Sequence, residues 1–271
     1  MGKARFMLIR EIGAGMWNEI YHVLTQLLVA EIMQRVPVVH WGEGSLYASS
    51  DGSNAFEQFF MPVSGFSVQD LAGPDADVCV RDTYIDFDTV IQLIPEQHPL
   101  YGMNRRDLFR RLMCRYIRLR KETQAFIDDF YDANMKGAAF LAVHIRGSDK
   151  IVEVKHLHEL NSRYPTEIEN VMNGNPDMKL FLMTDCIEIL EEYTQRYGER
   201  LVYTDCRRTR KGGLGVHFQE YQDNRLKGME IIRDTWLAAR CDHFIGNGYS
   251  NVSTAISELK DWKDDRIKLL Y

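Results

Sequence analysis

Leu141-Ala142-Val143-His144-Ile145-Arg146-Gly147-Ser148-Asp149-Lys150 runs from apolar residues into a cluster of charge. A short apolar run of this kind predicts a strand, and an open α/β sheet keeps its ligands beyond the carboxyl ends of its strands. Arg146 offers a planar fork of donors that matches phosphate oxygens, and Lys150 adds a compact positive charge. Together they suit a diphosphate and its departure as a leaving group. Gly147 lets backbone come close, Asp149 orients the two cations, and neutral His144 has a hydrogen bond for a base or sugar edge. A salt-bridged surface loop after a strand is the competing reading.

Other positions bring related chemistry. Asp185 follows the apolar run Leu180-Phe181-Leu182-Met183-Thr184, either as a crevice-lining residue or as the N-cap of the helix that Ile187 begins. Phe244-Ile245-Gly246-Asn247-Gly248-Tyr249-Ser250-Asn251 carries a second apolar run into small polar residues. There the backbone amides and the Ser250 hydroxyl at a helix start meet an anion, or Ser250 or Asn251 simply caps the helix. Asp234 has a carboxylate matched to the two ring-edge donors of guanine, against the plain alternative of a surface helix charge. Taking a proton from a hydroxyl calls for a carboxylate, and Glu153, shortly after Lys150, is the first candidate, with Glu19, Glu43 and Asp149 as alternatives. Glu153, His156 and His158 have the residue types of a metal cluster, although a solvated loop accounts for them better. The basic run Arg207-Arg208-Thr209-Arg210-Lys211-Gly212-Gly213 suits an acidic acceptor or a surface turn.

These side chains need elements to hold them. Arg5 to Ile9 predicts a strand, Gly13-Ala14-Gly15 a turn, and Val36 to Val39 a second strand. Between them, Ile20, Val23, Leu24, Leu27, Leu28 and Ile32 give Trp17 to Gln34 a helical spacing. This β-α-β unit puts amide donors at a helix N-terminus, yet Gly-Ala-Gly-Met-Trp-Asn lacks the third glycine of the dinucleotide fingerprint. A tight strand-to-helix turn explains it equally. Residues 42 to 104 are rich in Gly, Ser, Asp and Pro and predict loops and small elements. Their triplets Asp75-Ala76-Asp77 and Asp86-Phe87-Asp88 have the form of a metal-diphosphate clamp, with solvated loops the preferred reading. Arg105 to Lys121 carries eight basic residues and, with Leu108, Leu112, Ile117 and Leu119, predicts one amphipathic helix. It packs on its own domain or, as the minor alternative, lies on anionic headgroups.

The domain boundary is expected near Asn134 to Gly137, giving an N-terminal domain of residues 1–136 and a C-terminal domain of 137–271. In the second, strands at Phe140 to Ile145, Lys179 to Thr184, Leu201 to Tyr203 and His243 to Ile245 alternate with helices around Thr166 to Met172, Ile187 to Tyr197 and Leu226 to Ala239. That alternation predicts a parallel sheet flanked by helices.

Composition excludes some classes. With 271 residues, 45% of them hydrophobic, the chain has material for two modest cores. A net charge of −6 argues against a general nucleic-acid binder, so cations that meet phosphate must act locally. Cys79, Cys114, Cys186, Cys206 and Cys241 form no C-x-x-C pair, which points to a reducing compartment and away from structural zinc. Charge soon interrupts the first ten residues and no apolar run reaches the length of a membrane span, so the expected location is the cytoplasm.

Taken together, these segments resemble the fucosyltransferase superfamily of α-1,6-fucosyltransferases, bacterial Nod-factor fucosyltransferases and protein O-fucosyltransferases. The resemblance rests on His144-Ile145-Arg146-Gly147-Ser148-Asp149-Lys150, similar to the family's H-x-R-x-x-D-K motif, and on Met183-Thr184-Asp185. It continues through Asn224-Arg225-Leu226-Lys227-Gly228, Asp234 and Cys241-Asp242-His243-Phe244-Ile245 to Tyr249-Ser250-Asn251-Val252, covering residues 140 to 260 or so. The first domain is matched only by Gly13-Ala14-Gly15-Met16-Trp17-Asn18, which makes Gly13, Gly15 and Asn18 its candidate positions.

The resemblance implies an α/β fold of GT-B type, two facing Rossmann-like domains with parallel sheets, the last helix packing back on the first domain. It implies a donor held mainly by the second domain, an acceptor entering between the two, GDP-fucose as donor, inversion at the anomeric carbon, and no metal or other cofactor. On the matching positions Arg146 and Ser250 contact the diphosphate, His144 and Asp234 the guanosine, and Lys150 the leaving phosphate; Asp149, Asp185, Tyr249 and Asn251 complete the nucleotide-sugar site. Gly147 stands where α-1,6 enzymes often have a second arginine, so the linkage does not carry over. The expected partners are a nucleotide sugar and a glycan, with a lipid-linked acceptor at the inner membrane face as a variant and no nucleic acid. The expected setting is bacterial-type synthesis of surface polysaccharide or glycolipid. The alternatives are a GT-B transferase using another nucleotide sugar and a nonenzymatic nucleotide or glycan binder.

Overall fold

Two parallel sheets organise the chain in a computed structural model that describes residues 4–148 and 157–271. They belong to two units, Met1–Gln124 with Tyr221–Met229, and Ala125–Glu220 with Glu230–Tyr271.

In the first unit, β1 (Ala4–Arg10), α1 (Met16–Ile32), β2 (Val36–His40) and β3 (Ala76–Arg81) form a sheet of order β2-β1-β3, all parallel. Met7 and Ile9 of β1 and Ile20, Leu24, Leu27 and Leu28 of α1 are all fully buried, a two-residue period in the strand and a helical one in α1. The strand β3 lies inside the stretch expected to be loops. One acidic triplet runs into it, and Asp77 there is 3.0 Å from Arg35 and 3.8 Å from Arg5. In the other triplet Asp86 caps α2 (Phe87–Ile91) by accepting from the N–H groups of Asp88 and Thr89, and Asp88 lies 3.6 Å from Arg105. Among the described residues no group of three or more His, Cys, Asp or Glu side chains is placed to hold a metal ion.

The helix expected over Arg105 to Lys121 stops at Tyr116, as α3 (Arg105–Tyr116), and the next helix, α4 (Lys121–Asn134), begins at the last residue of that stretch. Leu119 leaves the apolar helical face and pairs with Phe60, while Arg118 and Arg120 exchange backbone bonds with Met61 and Phe59. That extended pairing satisfies backbone groups that a continuous helix would have used internally. Arg105 and Arg110 lie near acids of the first unit, and Arg115 bonds Glu31 at 3.0 Å.

The second unit contains β4 (Phe140–Ile145), α5 (Leu157–Met172), β5 (Lys179–Thr184), α6 (Ile187–Tyr197), β6 (Leu201–Val202), α7 (Asn224–Arg240), β7 (His243–Asn247), α8 (Asn251–Leu259) and β8 (Ile267–Leu270). The first residues of α7 belong to the first unit. Strand order is β6-β5-β4-β7-β8, all parallel. β4 is buried at every residue, as a central parallel strand covered on both faces must be. From β4 the chain first winds one way through β5 and β6, then returns to the other side for β7 and β8, so the order reverses beside β4. A crevice at the carboxyl ends of the strands opens at such a reversal. No helix among the described residues is long and apolar enough to cross a membrane.

Candidate functional site

The turn after β4 is held from the neighbouring strand. Asp185, just past β5, accepts the Gly147 N–H at 2.8 Å through Oδ1 and the Ser148 hydroxyl at 2.5 Å through Oδ2, and Oδ2 also lies 2.9 Å from Arg146 Nε. The structure therefore replaces the capping reading of Asp185: Cys186 occupies the N-cap position of α6, and the Asp185 carboxylate organises the turn. Gly147 is a steric requirement of the same junction, since a Cβ there would sit 2.5 Å from Ile189 Cδ1 and 2.6 Å from Cys186 Cβ. From the other side, α5 supplies Asn161, whose amide donates to the Arg146 carbonyl at 2.8 Å, and Tyr164, whose hydroxyl donates to the His144 carbonyl at 2.8 Å. Sequence reading missed both. Their three-residue spacing puts them on one helical face, which is the signal that could have found them.

His144 sits on β4 opposite Gly246 of β7. Its Nδ1 is 2.7 Å from the Ser253 hydroxyl, which also accepts the Asn247 N–H at 3.0 Å. A Cβ on Gly246 would lie 2.7 Å from that hydroxyl, so the glycine makes room for the serine that joins β4, β7 and α8. Burial, reinforced by the Arg146 charge and opposed by Asp185, pushes the His144 pKa down to about 3, and the ring is neutral at pH 7. Ser250 is buried at the N-cap of α8 with no side-chain capping bond, Asn251 begins the helix and is exposed, and Tyr249 stands exposed before them.

Asp234 on α7 is buried rather than a surface charge. Thr204, beyond β6, donates to its Oδ1 at 2.7 Å, with Arg233 Nε at 3.4 Å and Cys206 Sγ 3.9 Å from Oδ2. Burial raises its pKa against the opposing pull of Arg233, Thr204 and Arg208. These partners place it at the β6 end of the sheet, two strands from β4. The basic run 207–213 is tied down instead of hanging free: Thr209 exchanges backbone bonds with Asp185 and Ile187, and the Gly212 N–H donates to the Gly147 carbonyl at 3.2 Å. Asp149, Lys150, Glu153 and His156 lie outside the described residues, and His158 is exposed on α5.

In the first unit, the turn before α1 has two of its amides taken by a side chain of that helix, and the Met16 N–H at the helix start donates to the Tyr47 hydroxyl at 2.6 Å. Glu19 accepts from Ile12 N–H at 3.1 Å and Ala14 N–H at 2.8 Å. Gly13 takes a positive φ of 70° and Gly15 is the N-cap residue, while Asn18 is exposed on the first turn. Asn224 and Lys227 of α7 also act within this unit, donating to the carbonyls of Ala48 and Leu46, with Gly228 against Phe59 and Met16.

No protein-family model matches the chain, and no curated protein matches it. Solved structures do. NodZ α-1,6-fucosyltransferase, the Bradyrhizobium enzyme, soaked with GDP-fucose aligns at 19% identity and a TM-score of 0.64, over 96% of this chain and 93% of that one. POFUT1 in complex with GDP aligns at 13% identity and a TM-score of 0.59, over 99% of each chain. A mutant of Arabidopsis thaliana FUT1 in complex with GDP aligns at 10% identity and a TM-score of 0.57, over 97% of this chain and 69% of that one. The α/β fold with parallel sheets is similar to that of these fucosyltransferases.

Proposed function

We propose that the chain is a GT-B glycosyltransferase of fucosyltransferase type, which moves fucose from GDP-fucose to a glycan hydroxyl with inversion at the anomeric carbon. The observation that carries this reading is the Asp185-held turn bearing Arg146 at the strand-order reversal, in a fold shared along almost the whole chain with an enzyme soaked with GDP-fucose. In this reading Arg146 and Ser250 take the diphosphate, and Arg146 gains most as charge builds on the departing GDP. Neutral His144 meets the guanosine, and Asp234, whose Oδ1 is held by Thr204, turns Oδ2 to the guanine donors. The acceptor oxygen forms its bond to the anomeric carbon as the bond to the diphosphate breaks. The electron pair leaves with GDP and the acceptor proton passes to a carboxylate base, Glu153, while Lys150 and Asp149 keep the roles that the motif gives them. No step calls for a metal. The setting we propose is bacterial-type synthesis of surface polysaccharide or glycolipid in the cytoplasm.

Thermal unfolding with GDP, GDP-fucose, GDP-mannose, UDP-glucose and no ligand, with and without EDTA, tests this reading. A ligand at about a hundred times its Kd adds about 2.7 kcal/mol and moves the midpoint by several degrees. The expected result is a shift with guanosine diphosphates alone, unchanged by EDTA and different for the fucose and mannose donors. A shift with the uridine donor, or only in the presence of a divalent ion, moves the assignment to another GT-B transferase, and no shift contradicts donor binding.

A further inference from the structure

Two aromatic rings meet where the turn after β7 lies beside the end of β8: Tyr249 in that turn, which the resemblance groups with the nucleotide sugar, and Tyr271, which follows β8. Tyr249 is 49% and Tyr271 65% exposed, yet the polar groups beside them in the same turn, Asn247 at 1% and Ser250 at 5%, are buried. The rings meet edge to face with centroids 5.7 Å apart and planes at 78°. Their backbones are fixed from three directions: Gly248 N–H donates to the Leu270 carbonyl at 2.8 Å, Tyr249 N–H to Asn247 Oδ1 at 2.8 Å, and Arg163 Nη1 to the Tyr271 carbonyl at 2.8 Å. Gly248 lets the Tyr271 ring lie against the chain, because a Cβ there would come within 2.3 Å of it.

A fixed exposed pair of aromatic rings presents negative π faces and phenol hydroxyls together. One face of a pyranose ring is its complement, with weakly positive C–H groups in the middle and hydroxyls at the edge. Resting on the glycosyltransferase reading, we propose that Tyr249 and Tyr271 form an acceptor-sugar subsite that takes one pyranose ring of the glycan beside the donor turn. The assignment to acceptor rather than donor follows from depth. Buried His144, Asn247 and Ser250 are the partners that suit the nucleotide, whereas Tyr249 and, beyond β8, Tyr271 are exposed, which moves Tyr249 from the donor to the acceptor.

Saturation-transfer NMR on the full chain, with and without GDP, tests the subsite. The probes are methyl β-D-galactopyranoside, methyl β-D-glucopyranoside and methyl N-acetyl-β-D-glucosaminide, with open-chain galactitol as control. At least one pyranoside is expected to receive saturation on the C–H groups of one face, and galactitol none. The signal should weaken about fivefold or more in Tyr271→Ala and Tyr249→Ala and persist in Tyr271→Phe, the ring and not the hydroxyl supplying most of the contact. Gly248→Ala, whose new Cβ displaces the Tyr271 ring without removing it, should weaken it likewise. Equal saturation of galactitol, absence of any pyranoside signal in the wild type, or a full signal in Tyr271→Ala overturns the subsite. GDP titrated into wild type, Tyr271→Ala and Gly248→Ala should give Kd values within about twofold of each other, an unaltered donor site by affinity arithmetic. A wild-type chain that fails to bind GDP overturns the donor reading, and the pyranoside arm without GDP still decides the subsite.

Discussion

After β1 the chain turns through Gly13 and Gly15 into α1, and the Glu19 carboxylate, in the first turn of that helix, comes back to the N–H groups of Ile12 and Ala14. After β4 it turns through Gly147, and the carboxylate comes from Asp185 on the adjacent strand end. Both turns follow a strand in a parallel sheet and both have an acid at their centre. In the first, the acid takes the Ile12 and Ala14 N–H groups of its own turn. In the second, the acid comes from outside the turn, takes the Gly147 N–H and lies against Arg146, so the turn carries a guanidinium, which under the proposed function meets the diphosphate. Strand and glycine turn are common to both, and the two differ in where the internal carboxylate comes from and in the arginine beside it.

The largest expected break of this contrast is Arg146→Ala. Removing the guanidinium should lower kcat/KM for GDP-fucose by about 10³-fold, about 4 kcal/mol of transition-state stabilisation, with a far smaller change in Tm. GDP release assays beside thermal unfolding check it, and near-normal turnover would remove Arg146 from the chemistry. Asp185→Ala comes next. It frees Gly147 N–H and Ser148 together, so turnover should fall about 10- to 100-fold and stability by about 1–3 kcal/mol, read from GDP release and urea unfolding. Gly147→Ala should cost about 1–3 kcal/mol in urea through its collision with Cys186 and Ile189.

Acid sharpens the comparison. His144 has its pKa depressed to about 3 in the folded state, chiefly by burial, so the unfolded chain binds the extra proton first. Its contribution to stability is complete above the unfolded value of 6.5 and is lost as pH falls toward about 3, with a slope reaching about 1.4 kcal/mol per pH unit. Urea midpoints measured from pH 7 to pH 4 should show that slope in the wild type and less of it in His144→Gln. The smallest effect is reserved for the first turn: Glu19→Gln should lower stability by about 1 kcal/mol while leaving GDP affinity within about twofold.

How much of this was legible in the sequence depends on whether a feature is local. β4 and its charged exit, β5 and β7 each show an apolar run ending in polar residues, and such a run reports burial directly. β3 is hidden because Asp and Gly surround it and none of its residues is fully buried, and β8 because four residues do not make a pattern. The helix expected around Thr166 to Met172 is longer: α5 runs from Leu157 through Pro165, since Leu157, Leu160, Tyr164, Ile168 and Met172 bury one continuous stripe. In the site, Arg146 and His144 were readable by type. The work of Asp185 was not, because its partner Gly147 is distant in sequence and nothing local separates a cap from a clamp. Glu19 was unreadable for the same reason in reverse: an acid in the first turn of a helix looks like an ordinary dipole complement.

The most direct measurement is a calorimetric titration of GDP, in EDTA, into wild type, Arg146→Ala and Glu19→Gln. If the turn after β4 receives the diphosphate and the turn after β1 is closed by its own acid, wild type and Glu19→Gln bind one equivalent with similar affinity and Arg146→Ala binds at least about tenfold more weakly. Equal affinity in wild type and Arg146→Ala, or loss of binding in Glu19→Gln with its fold intact, would contradict the assignment.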